Sequence, residues 1–240
     1  MPELPELQAH AERLDNALAG VTLDRFEPLT FTALKTVSPD PVEAKGQALV
    51  FASRRGKHLL LDFGTLTFVV HLMQGGRLKS GAKHEKGVAR PRGGLARWSF
   101  TDGQSLLLTE AGSERRAGVW AVTGDPETQA PLAALGPDAD QVDPARLLTL
   151  LHEHPMRLHS FLRDQRALAG IGRRLANEVS HRARLSPFAS TARLHATDAT
   201  RLVEAIGVCV NESLAFERGR DDMSRSADRP GSVHHREGEP

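Results

Sequence analysis

A proline and two carboxylates stand within the first six residues, Met1-Pro2-Glu3-Leu4-Pro5-Glu6. Pro2 is a small residue of the kind after which an initiator methionine is removed. Removal leaves a secondary amine at the terminus, followed at once by the Glu3 carboxylate. An α-amino group titrates near neutrality, at roughly pKa 8. At pH 7 it is a far better nucleophile than an ordinary lysine, and amines attack carbonyl carbons to form Schiff bases. The same residues also read as an idle chain end whose Pro5 starts a helix, since termini are usually frayed and tolerant of change.

Charge suggests a second chemistry. The formal net charge is only +1, yet residues 52–92 carry nine Lys/Arg against two acids, and residues 154–193 carry eight Arg against two acids. Two basic stretches in a nearly neutral chain suit a polyanion gripped from two sides; two solvated faces would look the same. In the second stretch, Gly170-Ile171-Gly172 precedes a helical pattern that opens with Arg173-Arg174. Glycines allow close backbone approach, and a helix N-terminus offers unpaired N–H groups to a phosphate. A plain interhelical turn is the alternative. In the first stretch, Lys57 follows Gly56 at a hairpin and His71 ends an apolar strand. Alone they read as a solvated turn lysine and a structural histidine.

The elements that position these residues follow from periodicity. Leu4, Leu7, Ala11, Leu14 and Leu18 recur at three and four residues and Gly20 follows, which is an amphipathic helix with a glycine stop. Short apolar or alternating runs come next, at Val21–Leu23, Ala33–Leu34, Ala48–Ala52, His58–Phe63, Thr67–Leu72, Ala96–Phe100, Ser105–Thr109 and Gly118–Val122. Glycine turns separate them, Gly75-Gly76 among these, and the pattern is that of a sandwich or barrel. Residues 80–94 read as an exposed basic loop. Strand signals stop near Ala130, and helical patterns follow over 144–152, 156–164, 173–183 and 197–216. The expected fold is α+β. It has an N-terminal helix plus an antiparallel β-sandwich domain (1–135), an all-α domain (136–216) and a linker or disordered tail (217–240). Cys209 is the one cysteine, lies in an apolar run and reads as core. With no disulfide possible, no signal-peptide pattern and no apolar run of membrane-spanning length, the expectation is a cytoplasmic protein without membrane contact.

Along nearly its whole length the chain resembles the formamidopyrimidine-DNA glycosylase / endonuclease VIII family of base-excision repair enzymes. Four pieces carry the resemblance, in order. They are the opening six residues, Arg54-Arg55-Gly56-Lys57 with the strand to Asp62, His71-Leu72-Met73-Gln74-Gly75-Gly76-Arg77-Leu78, and Asp164-Gln165 with Ala169 to Glu178. The resemblance implies a β-sandwich followed by a helix–two-turn–helix domain, with damaged or abasic double-stranded DNA in the cleft between them, and a monomer. It implies that the Pro2 amine attacks C1′ of a flipped nucleotide, that Glu3 is the general acid and that Glu6 orients the amine or relays a proton. Lys57 would contact a phosphate and assist base release, with His71 beside it. Gln74, or its neighbour Met73, would enter the gap left in the base stack, and Arg116 would meet the orphaned base. Gly172, Arg173, Arg174 and His159 would bind backbone phosphates.

Several positions depart from the family pattern. Ala117 replaces a phenylalanine that follows the arginine in many members. Arg173 replaces an asparagine, and His159 stands where lysine is common. The run from Ser232 to Pro240 resembles the lead-in to the family's zinc finger, but the four zinc cysteines are lacking, so no cofactor is expected in this chain. Two readings follow: a bifunctional glycosylase and abasic-site lyase acting on oxidised bases, or a damage-binding relic with weak or no catalysis.

Overall fold

The computed structural model describes residues 1–81, 92–111 and 115–222. By contacts the chain divides into two compact units. The first comprises Met1–Pro2 and His10–Ala133, the second Glu3–Ala9 and Ala134–Pro240. Chain order alone would assign the opening turn to the first unit; its contacts put it in the second.

The first unit is built on two four-stranded antiparallel sheets. One sheet runs β2 (Phe51–Arg55), β3 (His58–Asp62), β4 (Thr67–His71) and β8 (Gly118–Val122). The other runs β1 (Leu23–Pro28), β6 (Gly94–Phe100), β7 (Ser105–Glu110) and β5 (Gly76–Gly81). Aromatic rings join the two. Phe26 of β1 lies 4.8 Å from Phe68 of β4, and Trp98 of β6 lies 5.7 Å from Phe68, centroid to centroid. Such tilted and edge-on contacts add to the area these rings bury. Strand β4 is central, and its first four residues are buried, which is why it reads as a continuous apolar run rather than an alternating one. Helix α1 (Leu4–Leu18) is tied to this unit through Asp15, whose carboxylate accepts the Ala52 N–H at 2.7 Å.

Strand β5 corrects the sequence reading, which treated Gly75-Gly76 as a turn and residues 80–94 as a loop. The strand begins at Gly76 and pairs with β7 to Gly81, with Leu78 opposite Leu108. Its sequence has two glycines and a single apolar residue facing the core, so neither composition nor alternation announced it. Residues 82–91 lie outside the described segments. Gly76 is needed for its size, because a Cβ there would stand 2.2 Å from the Leu72 carbonyl oxygen. That carbonyl accepts the Gly76 N–H at 2.8 Å, closing the turn that carries Met73 and Gln74.

In the second unit, α2 (Pro144–Glu153), α3 (Leu158–Arg163), α4 (Arg173–Arg182) and α5 (Ala196–Arg218) enclose a core of Leu4, Phe161, Leu168, Ile171, Leu175, Leu202 and Ile206. Helix α2 starts where Asp143 caps the Arg146 N–H at 2.7 Å, with Pro144 in the first turn. Helix α5 runs two residues beyond the expected start of the tail. Glu217 lies on its buried face at 1% exposure, and a buried carboxylate does not announce itself as helix core. The tail beyond residue 222 lies outside the described segments. Among the described residues no helix is long and apolar enough to cross a membrane.

Gly76→Ala is expected to lower stability by about 2 kcal/mol, within the usual range for forcing an atom into a packed site. Thermal denaturation reads it; an unchanged midpoint would mean that the Leu72–Gly76 turn relaxes freely.

Candidate functional site

In the first unit, strand register brings the candidate residues to one end of one sheet. Arg55 pairs with His58 across the two-residue turn Gly56-Lys57, and Gly56 has φ +55°. A glycine with positive φ in the first turn position suits the mirror-image turns that match strand twist. His58 pairs with His71, and His71 pairs with Gly118 at the start of β8. Lys57, the turn after His71 and the segment entering β8 therefore share one strand-end edge. Lys57 is buried at 8% exposure, so it is not the solvated turn lysine of the alternative reading.

His71 is held in one tautomer. Its Nδ1 accepts the Met73 N–H at 3.1 Å, which leaves Nε2 to carry the ring proton of the neutral form. Burial, and then the charge of Lys57, lower its pKa to about 4. The ring of His58 lies 4.6 Å away, and burial followed by His71 lowers its pKa to about 3. At neutral pH both rings are uncharged, and His71 is a neutral donor. His58 has no role in the sequence reading; its place directly after Lys57 is the one local signal for it.

Met73 and Gln74 separate in the structure. Met73 is half-buried with φ +50°, an uncommon conformation for a side-chain-bearing residue. Gln74 is exposed at the turn tip. In the loop entering β8, Arg115 (φ +44°) and Arg116 are exposed, while Ala117 is fully buried. Glu110 anchors this loop end by accepting the Ala117 N–H at 2.8 Å. Residues 112–114 lie outside the described segments.

In the second unit the site is organised by Glu3. Its two carboxylate oxygens accept the N–H groups of Arg174 and Leu175, each at 3.0 Å. These are two of the N–H groups that every helix N-terminus leaves without an intrahelical partner. Gly172 makes room, since a Cβ there would lie 2.3 Å from Glu3 Oε1. The Gly170-Ile171-Gly172 turn is braced by Gln165, which accepts the Gly170 N–H at 3.0 Å and donates to the Ile171 carbonyl at 2.9 Å. Gly170 (φ +99°) packs on Leu4, and its carbonyl accepts the Leu4 N–H at 3.0 Å. Glu6 supports the start of α1, its Oε2 accepting the Glu3 N–H at 2.9 Å.

Arg174 corrects an expectation. The resemblance implies a phosphate ligand, but its guanidinium is turned inward. It reaches Glu6 Oε1 and Glu178 Oε2, each at 3.1 Å, and Ser213 Oγ at 3.2 Å. Burial opposes its charge, but Glu6, Glu178 and Glu3 together outweigh that and raise its pKa. Arg173, one position earlier, is exposed. His159 is half-buried and bonded to the Asn177 side chain; burial, then Arg163, lower its pKa, and Arg173 adds to this. His159, Arg163, Arg173 and Asn177 thus share one neighbourhood on α3 and α4. Gln165 lies in a segment that carries the resemblance and Arg163 in the second basic stretch, but neither has an assigned role in the sequence. Pro2 is buried and Met1 is exposed. While Met1 is attached, the Pro2 nitrogen is an amide and no nucleophile.

Residues 1–120 match the family described as formamidopyrimidine-DNA glycosylase N-terminal domain. A formamidopyrimidine-DNA glycosylase of Thiobacillus denitrificans is 30% identical over 218 residues, 90% of this chain and 78% of that protein. One from Geobacter metallireducens is 31% identical over 89% of this chain and 79% of its own length. Among solved structures, the MutM (Fpg) protein of Thermus thermophilus superimposes with a TM-score of 0.77 at 26% identity, covering 90% of this chain and 77% of that one.

Two outcomes test this geometry. Arg174→Met is expected to destabilise the protein by about 3–5 kcal/mol, because it strands the fully buried Glu6 carboxylate; chemical denaturation measures it. The histidine pair makes stability pH-dependent. Both folded pKa values lie below the unfolded value, so the contribution is complete above about pH 6.5 and is lost as pH falls toward 4 and then 3. His58→Phe should flatten part of that acid limb, and an identical limb in the variant would remove His58 from the account.

Proposed function

The chain belongs to the formamidopyrimidine-DNA glycosylase family, and from that premise we propose that it is a bifunctional DNA glycosylase and abasic-site lyase of base-excision repair. Its substrates are oxidised bases of the formamidopyrimidine or 8-oxoguanine type, or oxidised pyrimidines, in double-stranded DNA. The observation that carries this reading is the fixed terminus. Pro2 is buried and bonded directly to Glu3, whose carboxylate is pinned by two backbone N–H groups. An amine released at Pro2 would be only one residue from a fixed anchor, and a well-oriented nucleophile gains much of its rate from such placement.

An enzyme that acts on a base within a duplex extrudes the nucleotide first. The secondary amine of Pro2, in its uncharged form, attacks C1′ of the flipped deoxyribose. The C1′–N bond to the damaged base breaks, and the base leaves with its electron pair and takes up a proton. The sugar ring opens as its oxygen is protonated, leaving an iminium between Pro2 and C1′. Loss of a C2′ proton expels the 3′ phosphate, and a second elimination expels the 5′ phosphate. Hydrolysis of the iminium frees the enzyme. Glu3 supplies the proton to the ring oxygen. Each carboxyl oxygen has two lone pairs, so a proton can reside on Glu3 while both backbone N–H bonds persist. Glu6 holds the backbone of Glu3 through its N–H, a position from which it orients the amine or relays a proton.

In the first unit, Lys57 and His71 serve a phosphate beside the lesion, one as a cation and the other as a neutral Nε2–H donor. Gln74 enters the base stack, and its exposure favours it over Met73. In the helical unit, the Gly172 and Arg173 N–H groups and the Arg173 side chain receive a phosphate. The Arg174 and Leu175 N–H groups already belong to Glu3. A guanidinium can bind phosphate through two hydrogen bonds, so arginine in place of asparagine keeps the binding while lengthening its reach.

Borohydride trapping with abasic-site duplex tests the reading. The protein lacking Met1 should form a covalent adduct, and Pro2→Gly or a retained methionine should abolish it with the fold intact. Binding of the duplex without any adduct would defeat the enzymatic reading and leave the damage-binding one.

A further inference from the structure

Ala117 is fully buried and too small to enter a base stack, yet an aromatic ring stands at the same edge of the molecule. Phe31 is 101% exposed. Of the other exposed phenylalanines, Phe188 is covered by the Arg157 guanidinium at 5.7 Å, and Phe51 belongs to β2. Phe31 lies in the turn closed by the Ala33 N–H to the Thr30 carbonyl at 3.1 Å.

That turn is firmly placed. The Leu29 N–H donates to the Leu95 carbonyl at 2.8 Å. Directly after the turn the chain joins β8 in parallel. Leu34 pairs with Val119, the Val119 N–H donates to the Ala33 carbonyl and the Lys35 N–H to the Val119 carbonyl, both at 2.8 Å. Gly118 admits the Lys35 side chain, which a Cβ would meet at 2.3 Å, and Lys35 folds back onto the Thr32 carbonyl.

Because this pairing is parallel, both segments enter it from the same end. Phe31 precedes Leu34 by three residues, and Arg116 precedes Val119 by three. The Phe31 turn and the Arg115-Arg116 loop end therefore approach the pairing from the same end. Neighbouring strands are about 4.8 Å apart, so this segment stands roughly one spacing beyond β8 and two beyond β4, which leads to Gln74.

We propose that Phe31 is a base-stacking residue of the DNA interface, packing on the base left unpaired opposite the flipped nucleotide while Arg116 flanks it. The inference rests on the proposed function and adds to it a residue outside the segments that carry the family resemblance. Every base presents a π face, and sites that hold unpaired bases combine aromatic side chains with neighbouring cations. An exposed ring at the same strand end as two exposed arginines has that composition. The occupant is thus an unstacked base of the opposite strand, not a second copy of the chain.

The experiment measures binding to a duplex with a stabilised abasic-site analogue and 2-aminopurine opposite it. Phe31→Ala should weaken binding roughly tenfold, as loss of one base–aromatic stack does, and the 2-aminopurine emission should be quenched less than by wild type. Phe31→Trp should restore both. Val37→Ala, which removes another fully exposed apolar side chain from the segment following the β8 pairing, should change neither. Wild-type affinity and quenching in Phe31→Ala overturn the proposal, as does a Phe31→Ala protein changed only in self-association. Borohydride trapping by wild type separates the two layers. If wild type forms the adduct and Phe31→Ala behaves identically, only the Phe31 role fails. If wild type neither traps nor binds the duplex, both fail.

Discussion

The carboxylate of Glu3 on the N-terminus of α4 is the contact on which the candidate site depends. A helix start leaves backbone N–H groups without intrahelical partners, and in a packed protein these must find acceptors. Here the first intrahelical bond runs from the Ala176 N–H to the Gly172 carbonyl. The Arg174 and Leu175 N–H groups ahead of it are satisfied from the far end of the sequence. A second buried carboxylate, Glu6, carries its own desolvation cost, which for an ion in a protein interior is several kcal/mol. Arg174 offsets it and shares its charge with Glu178. The ion pairs are therefore conditions for burying the terminus rather than a net source of stability. Their effect is positional: the segment bearing the proposed nucleophile joins a packed helical core through Leu4 and Glu3.

The sheet edge is organised differently. No single contact assembles it; strand register does. A two-residue turn between β2 and β3 fixes the His58–His71 pair, and the pairing of β4 with β8 then fixes His71 against Gly118. A slip of one residue would turn every side chain to the opposite face. The fully buried apolar residues of β3 and β4 make such a slip costly, so the core of the sandwich sets the alignment of the polar edge.

Much of this was legible in the sequence. The division into strands then helices followed from periodicities near 2 and 3.6, and the four main helices of the second unit fell within two residues of their expected ends. Strand β5 was hidden because its glycines answer to close backbone approach at Leu72 rather than to a turn. The allocation of Glu3–Ala9 to the helical unit was hidden because contacts across about 170 residues leave no local pattern. The same cause misdirected Arg174. Two adjacent arginines at a helix start look alike in sequence, but helical geometry turns one to solvent and the next inward, where only the fold supplies Glu6 and Glu178. His58 escaped notice because its partner, His71, is a neighbour only through register.

The proposed DNA contacts differ in how they respond to salt. Exposed arginines that neutralise phosphates release condensed counterions, so their contribution falls as salt rises. Neutral donors release none. His71, uncharged at neutral pH, and the Gly172 and Arg173 backbone N–H groups are donors of that kind. They fix orientation through hydrogen-bond geometry and short reach. In the proposed reaction, which places a sugar carbon within bonding distance of one amine, such contacts add orientation to the attraction that exposed cations such as Arg163 and Arg173 supply. The inward turn of Arg174 fits this division. A charge that would have added affinity is used instead to hold the buried Glu6 that caps Glu3. The position of the proposed nucleophile then depends on a buried, salt-insensitive network rather than on the strength of the DNA grip.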